Sequence, residues 1–171
     1  MNIPLSRYRK EIRACYESKE FELIIDSSDM TQLYMIFTIE AGIYEGQRHA
    51  IRLKLKYGDT MERHIFPFSP PKCEFLTQVW HPNIGAISTD GIGIVCVDSL
   101  NSEGWSSRTS LENICMIIKL LLLEPNVDSP QNVDAANQLI ENPIWFKEHV
   151  ENYYNESDNQ KIIDELREMC N

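Results

Sequence analysis

An α+β domain, with a small antiparallel sheet in its first half and helices in its second, is what this 171-residue sequence predicts. Three observations carry that reading. Runs rich in β-branched and aromatic residues at 21–25, 33–40 and 49–56 are joined by connections too short for parallel crossovers. Beyond residue 108 the apolar pattern switches to helical spacing, punctuated by capping residues and prolines. No internal repeat, low-complexity tract or linker divides the chain. Residues 1–171 therefore read as one domain, with a short helical extension at about 157–171, long enough to bury a core without a disulfide or metal staple.

Taken in order, Leu5, Tyr8, Ile12, Cys15 and Tyr16 share one face of an amphipathic first helix. Its other faces carry Arg7, Arg9, Lys10 and Arg13, and over residues 1–13 these four bases stand against one acid, Glu11. The three strand runs follow, and the third alternates Ile51, Leu53 and Leu55 with Arg52, Lys54 and Lys56. Phe66-Pro67-Phe68-Ser69-Pro70-Pro71 predicts a stiff, extended entry to a fourth strand at 73–77. Residues 80–108 lack a sustained period yet hold Trp80, Ile84, Val95, Val97 and Trp105, and a long apolar loop must pack on something. Thr109-Ser110-Leu111-Glu112 has the form of a capping box before a helix so apolar all round that it is expected to be central. Ser129-Pro130 and Asn142-Pro143 each read as a cap followed by proline in the first turn of a further helix. Ile162, Ile163, Leu166, Met169 and Cys170 suggest a last helix with an acidic face.

Composition narrows the function. Sixteen basic against 26 acidic residues give a formal charge of −10, unfavourable for binding nucleic acid. No apolar run is long enough to span a bilayer and the start lacks a secretory signal pattern, so the expectation is no membrane partner and a cytoplasmic and/or nuclear location. Cys15, Cys73, Cys96, Cys115 and Cys170 are scattered singly, without metal-ligand spacing, so no metal and no disulfide framework are expected.

Cys96, in Ile94-Val95-Cys96-Val97, would on its own be a packing residue. Its neighbours point elsewhere. Tyr44-Glu45-Gly46, Phe66-Pro67-Phe68-Ser69-Pro70-Pro71, Trp80-His81-Pro82-Asn83-Ile84, Cys96-Val97-Asp98, Trp105-Ser106 and the stretch from Leu122-Leu123-Glu124-Pro125 to Ser129-Pro130 stand in the order of the landmarks of ubiquitin-conjugating enzymes. The sequence resembles that family over nearly its whole length. The resemblance implies an N-terminal helix, a four-stranded antiparallel meander and C-terminal helices.

It also implies an acyl carrier. Cys96 would accept the C-terminal carboxyl of ubiquitin, or a similar modifier, as a thioester from an activating enzyme, and pass it to a substrate lysine or a ligase cysteine. A thiolate suits this as both nucleophile and leaving group. By the same resemblance Asn83 would hydrogen-bond the oxyanion, although an asparagine there also suits bracing of the loop. Ser129 stands where many relatives carry an acid that orients the incoming amine, and Asp98 or Asp128 could share that task. The basic first helix, through Arg7, Arg9, Lys10 and Arg13, matches the docking surface for the activating enzyme. Phe68, Ser106 and Ser107 fall where RING or U-box ligases grip, and ligases of the thioester-forming type are further partners. No cofactor is implied, since ATP is used by the upstream activating enzyme. Residues 85–91 and 57–64 look longer than in typical members. A conjugating enzyme for another modifier, an inactive scaffold of the same fold, and a cysteine hydrolase pairing Cys96 with His81 are the alternatives.

Overall fold

The structure, a computed structural model, describes residues 3–59, 63–85, 93–95 and 104–169. Helix α1 (Leu5–Glu17) is followed by β1 (Glu22–Ile25), β2 (Gln32–Thr38), β3 (Arg48–Lys54), β4 (Lys56–Gly58), β5 (Arg63–Ile65), β6 (Lys72–Phe75) and β7 (Gly93–Ile94). Helices α2 (Leu111–Leu123), α3 (Val133–Glu141), α4 (Pro143–Tyr153) and α5 (Glu156–Met169) complete the chain. The expected α+β class and meander are borne out, with two additions. The sheet runs β1-β2-β3-β6-β7, all antiparallel, so the short β7 from the aperiodic stretch makes a fifth strand. Within the 57–64 region, β4 and β5 pair with each other as a separate two-stranded sheet, because the third run breaks at buried Leu55 rather than continuing to Lys56.

One sheet face and α2 enclose the main core. Leu23, Met35, Ile51 and Phe75 lie side by side across four strands and pack with Leu111, Ile114, Cys115 and Ile118. Helix α2 is not buried all round, however: Met116, Leu120 and Leu123 form an exposed stripe, because only one side of the helix meets the sheet. The inward side of α1 also differs from the periodic reading. Leu5 and Tyr16 are exposed, while Glu11 is buried and accepts a hydrogen bond from the Leu111 N–H at 2.7 Å. A carboxylate at that place satisfies one of the unpaired donors of α2 and complements its dipole.

Three local expectations are corrected. The cap of α2 is Ser110, which accepts from the Asn113 N–H, not Thr109, whose N–H closes a turn onto the Ser106 carbonyl and whose own carbonyl takes the Arg7 guanidinium at 3.0 Å. The proline-rich entry to β6 turns instead of extending, since the Phe68 and Ser69 N–H groups both reach the Ile65 carbonyl. Ser129 does not cap a helix: α3 begins at Val133, capped by Asn132, because the Pro82 carbonyl takes the N–H groups of Gln131 and Asn132 at 2.8 Å each and holds them outside the helix. Asn142 caps α4 with Pro143 in its first turn, as the sequence indicates.

Candidate functional site

The stretch His81-Pro82-Asn83 crosses between α2 and the 126–132 loop, and hydrogen bonds hold each of its residues. Buried His81 places Nε2 3.0 Å from the Leu121 carbonyl and Nδ1 2.9 Å from the Asn83 N–H. A carbonyl can only accept and a backbone N–H can only donate, so the proton sits on Nε2 and the ring is neutral. Burial pushes its pKa down to about 4, against a smaller opposing effect of the Leu121 hydrogen bond. Tyr44, from the Gly42–Gly46 turn, packs its ring 5.4 Å from that of His81 and donates its hydroxyl to the Trp80 carbonyl at 2.7 Å. Gly46 closes the turn at φ +81°, a conformation strained for residues with a Cβ.

Asn83 is 2% exposed, and its amide clamps the neighbouring loop. Oδ1 accepts the Asn126 N–H at 2.9 Å, while Nδ2 donates to the Asn126 carbonyl at 2.7 Å and, at the longer distance of 3.4 Å, to the Ser129 carbonyl. Asn126 in turn accepts the Asp128 N–H on its own side chain at 2.9 Å, an Asx turn that shapes the loop. Asp128 and Ser129 are exposed on it. Neither the Asn126 turn nor the Glu11 contact was read from the sequence. The one acid among four bases over residues 1–13 was the signal for Glu11.

The segment before Cys96 is held on two sides. The Gly85 N–H donates to the Ile94 carbonyl at 2.9 Å, Ile84 bridges Val95, and the Val95 N–H reaches the Cys73 carbonyl at 3.2 Å. Gly93 permits this approach, since a Cβ there would lie 2.8 Å from the Ile84 Cγ2 and 3.1 Å from the Gly85 carbonyl oxygen. Cys96 and Asp98 lie outside the described residues, as does most of the 85–91 stretch. The buried thiols behave differently from an exposed nucleophile: burial raises Cys15 and Cys73 to about 12, and Cys115 shifts in the same direction. Among the described residues no cluster of His, Cys, Asp or Glu could hold a metal ion, and no helix is long and apolar enough to cross a membrane.

The expected docking residues separate into two groups. Arg9, Lys10 and Arg13 are exposed on α1, Arg13 paired with Glu17 at 2.9 Å. Arg7 is not part of that outward patch. It turns inward, 2.7 Å from the Glu11 carboxylate, and lies over the Phe66 ring. Phe68 is 58% exposed, which removes core packing as its role, and Ser106 and Ser107 are exposed near Trp105, whose indole N–H donates to the Pro67 carbonyl at 2.8 Å. That bond ties the Phe68 turn to the 105–107 loop.

Residues 7–154 match the family model for ubiquitin-conjugating enzymes. The human ubiquitin-conjugating enzyme E2 K is 33% identical over 105 residues, covering 61% of this chain and 46% of that protein, so the chain spans about half the length of that relative. Ubiquitin-conjugating enzyme E2 S of Dictyostelium discoideum is 31% identical over 169 residues, covering 95% of this chain and 73% of that protein. Among solved structures, the E2 domain of a Toxoplasma gondii ubiquitin-conjugating enzyme superposes with a TM-score of 0.71 at 26% identity, covering 88% of this chain and 96% of that one.

Proposed function

The chain belongs to the ubiquitin-conjugating enzyme family, and from that premise we propose that it carries ubiquitin as a thioester on Cys96 and transfers it to a lysine amine or a ligase cysteine. In charging, the Cys96 thiolate attacks the activated carboxyl of ubiquitin, forming the C–S bond as the activating enzyme's group leaves. In discharge, the acceptor attacks the same carbonyl, the C–S bond breaks and the thiolate departs. ATP is consumed upstream, and the proposal requires no cofactor in this chain. Arg9, Lys10 and Arg13 face the activating enzyme, Phe68 with Ser106 and Ser107 faces the ligase, and the setting is the cytoplasm and/or nucleus.

The observation that carries the reading is the Asn83 clamp. It supports an oxyanion role because one Nδ2 bond, to Asn126, is short, while the other, to Ser129, is long enough to be redirected at small cost. Ser129, exposed and not used as a cap, is placed in this proposal to orient the amine, with Asp128 beside it and Asp98 as a further contributor. The neutral His81 counts against a hydrolase, because its Nδ1 lone pair already holds the Asn83 N–H and no nitrogen remains to accept the Cys96 proton.

Single-turnover discharge of the ubiquitin thioester to free lysine tests the assignment. Asn83→Ala is expected to slow discharge by about 10²–10³ while leaving charging near the unaltered level. Charging and discharge falling in equal proportion would overturn the oxyanion role and leave only the bracing one.

A further inference from the structure

Arg7 is the base of α1 that the proposed docking surfaces leave without a role. Its side chain is 26% exposed, whereas Arg9, Lys10 and Arg13 lie open to solvent. Three groups take up its guanidinium. Within its own helix, Nε lies 2.7 Å from Oε1 of buried Glu11, whose Oε2 accepts the Leu111 N–H at the start of α2. On the loop before α2, Nη2 donates to the Thr109 carbonyl at 3.0 Å and, at the longer distance of 3.4 Å, to the Arg108 carbonyl. The guanidinium carbon also stands 5.8 Å from the centre of the buried Phe66 ring, within cation–π range.

These contacts reach behind each part of the surface assigned to the ligase. Phe66 precedes Phe68 by two residues, and its ring meets that of Trp105 edge-on at 6.2 Å. The Trp105 indole N–H holds the Pro67 carbonyl at 2.8 Å. Ser106 takes the Thr109 N–H on its carbonyl at 2.9 Å and the Arg108 N–H on its hydroxyl at 3.3 Å, so the two carbonyls that Arg7 grips belong to the turn that presents Ser106 and Ser107. The Phe68 turn and the 105–109 loop are thus tied to each other through Trp105 and to α1 through Arg7. A guanidinium suits this because its planar fork offers donors on separate edges and a flat face to a ring, whereas an ammonium is a compact point charge.

We propose that Arg7 is a positioning residue for ligase-stimulated transfer: from behind the surface, it holds the Phe68 turn and the Ser106-Ser107 segment at the spacing a ligase must meet. The inference rests on the assignment of Phe68, Ser106 and Ser107 to the ligase. Parts already held in place avoid the ordering cost that docking otherwise carries. The loss of Arg7 is therefore expected in the amount of ligase required, not in the chemistry at Cys96.

Arg7→Lys tests this, because it keeps a cation for Glu11 and removes the fork. The full chain, charged with ubiquitin, is mixed with free lysine and increasing amounts of an isolated RING domain, chosen from a panel as the one that most accelerates discharge of the unaltered protein. The half-saturating RING concentration is expected to rise roughly tenfold, while the maximal rate, ligase-free discharge and charging stay within about twofold. The double variant Arg7→Met/Glu11→Gln, which leaves no unpaired charge and keeps an acceptor for the Leu111 N–H, should behave alike and decides the matter if Arg7→Lys does not fold. Exchange of the Trp105 indole hydrogen, read by NMR with no ligase present, should quicken at least roughly tenfold in both. An unchanged half-saturating concentration in a folded variant would overturn the proposal. So would an equal fall in ligase-free discharge, or failure of both variants to fold. Phe68→Ala separates this inference from the assignment beneath it. If that variant also keeps the full RING response, or no RING domain accelerates discharge, the ligase assignment fails and this inference with it. If Phe68→Ala loses the response and Arg7→Lys keeps it, the role of Arg7 alone fails.

Discussion

Acidification from pH 7.5 to 5 should destabilise this domain through two buried histidines. His49 is fully buried among Phe37, Phe75 and Tyr154, its ring nitrogens meeting Thr77 Oγ1 at 3.0 Å and Gln47 Oε1 at 3.2 Å. Burial, with a smaller repulsion from His81, lowers its pKa to about 3, while His81 lies at about 4. In the unfolded chain both titrate near the ordinary value of about 6.5. Because the folded values are depressed, the unfolded state binds more protons below pH 6.5. The stability is present above that pH and is lost as pH falls toward 4 for His81 and 3 for His49. At pH 5, about 1.5 pH units below the unfolded value, the loss is about 2 kcal/mol per histidine. Urea unfolding followed by far-UV circular dichroism between pH 7.5 and 5 measures it. Carboxylates held below their usual range, such as Asp26, Asp29 and Glu74, contribute mainly at lower pH. His49→Gln should be less stable at pH 7.5 but show about half the loss on acidification. A flat profile, or an unchanged slope in the variant, would refute the reasoning.

Two further predictions concern packing and docking. Glu11→Ala should cost about 1–3 kcal/mol by thermal or urea unfolding, because it strips the Leu111 N–H of its buried acceptor and Arg7 of its ion partner. Phe68→Ala should leave the melting temperature within about 1 °C, since the ring is mostly exposed, yet reduce ligase-stimulated discharge at least roughly tenfold, whereas discharge without ligase stays as it was.

The fold class, the strand runs and the order of the helices were legible in the sequence because hydrophobic period and proline punctuation are local. What escaped were decisions made by distant partners. Ser129-Pro130 has the local form of a helix start, but the Pro82 carbonyl claims the next N–H groups and moves the cap to Asn132. Leu55 continues the alternation of the third run, yet its N–H bonds the Thr31 carbonyl and its carbonyl takes the Phe66 N–H, which ends the strand. The landmark His81-Pro82-Asn83 was readable as a motif, while the role of Asn126 in shaping the loop behind it was not, because a single asparagine carries no such signal. The outer sheet face, which Ile163 and Leu166 of α5 cover, had one cue: the unbroken apolar run of β2, which a sheet with one solvated face would interrupt with polar residues.

The central claim is that Cys96 carries the modifier, and the most direct measurement charges the protein with ubiquitin, ATP, Mg²⁺ and a ubiquitin-activating enzyme and resolves the products on a non-reducing gel. A band one ubiquitin heavier, abolished by thiol and by Cys96→Ala and converted to a thiol-resistant oxyester by Cys96→Ser, is the predicted result. A thiol-sensitive band that survives in Cys96→Ala, or no band with ubiquitin or with any other modifier and its own activating enzyme, would contradict the account.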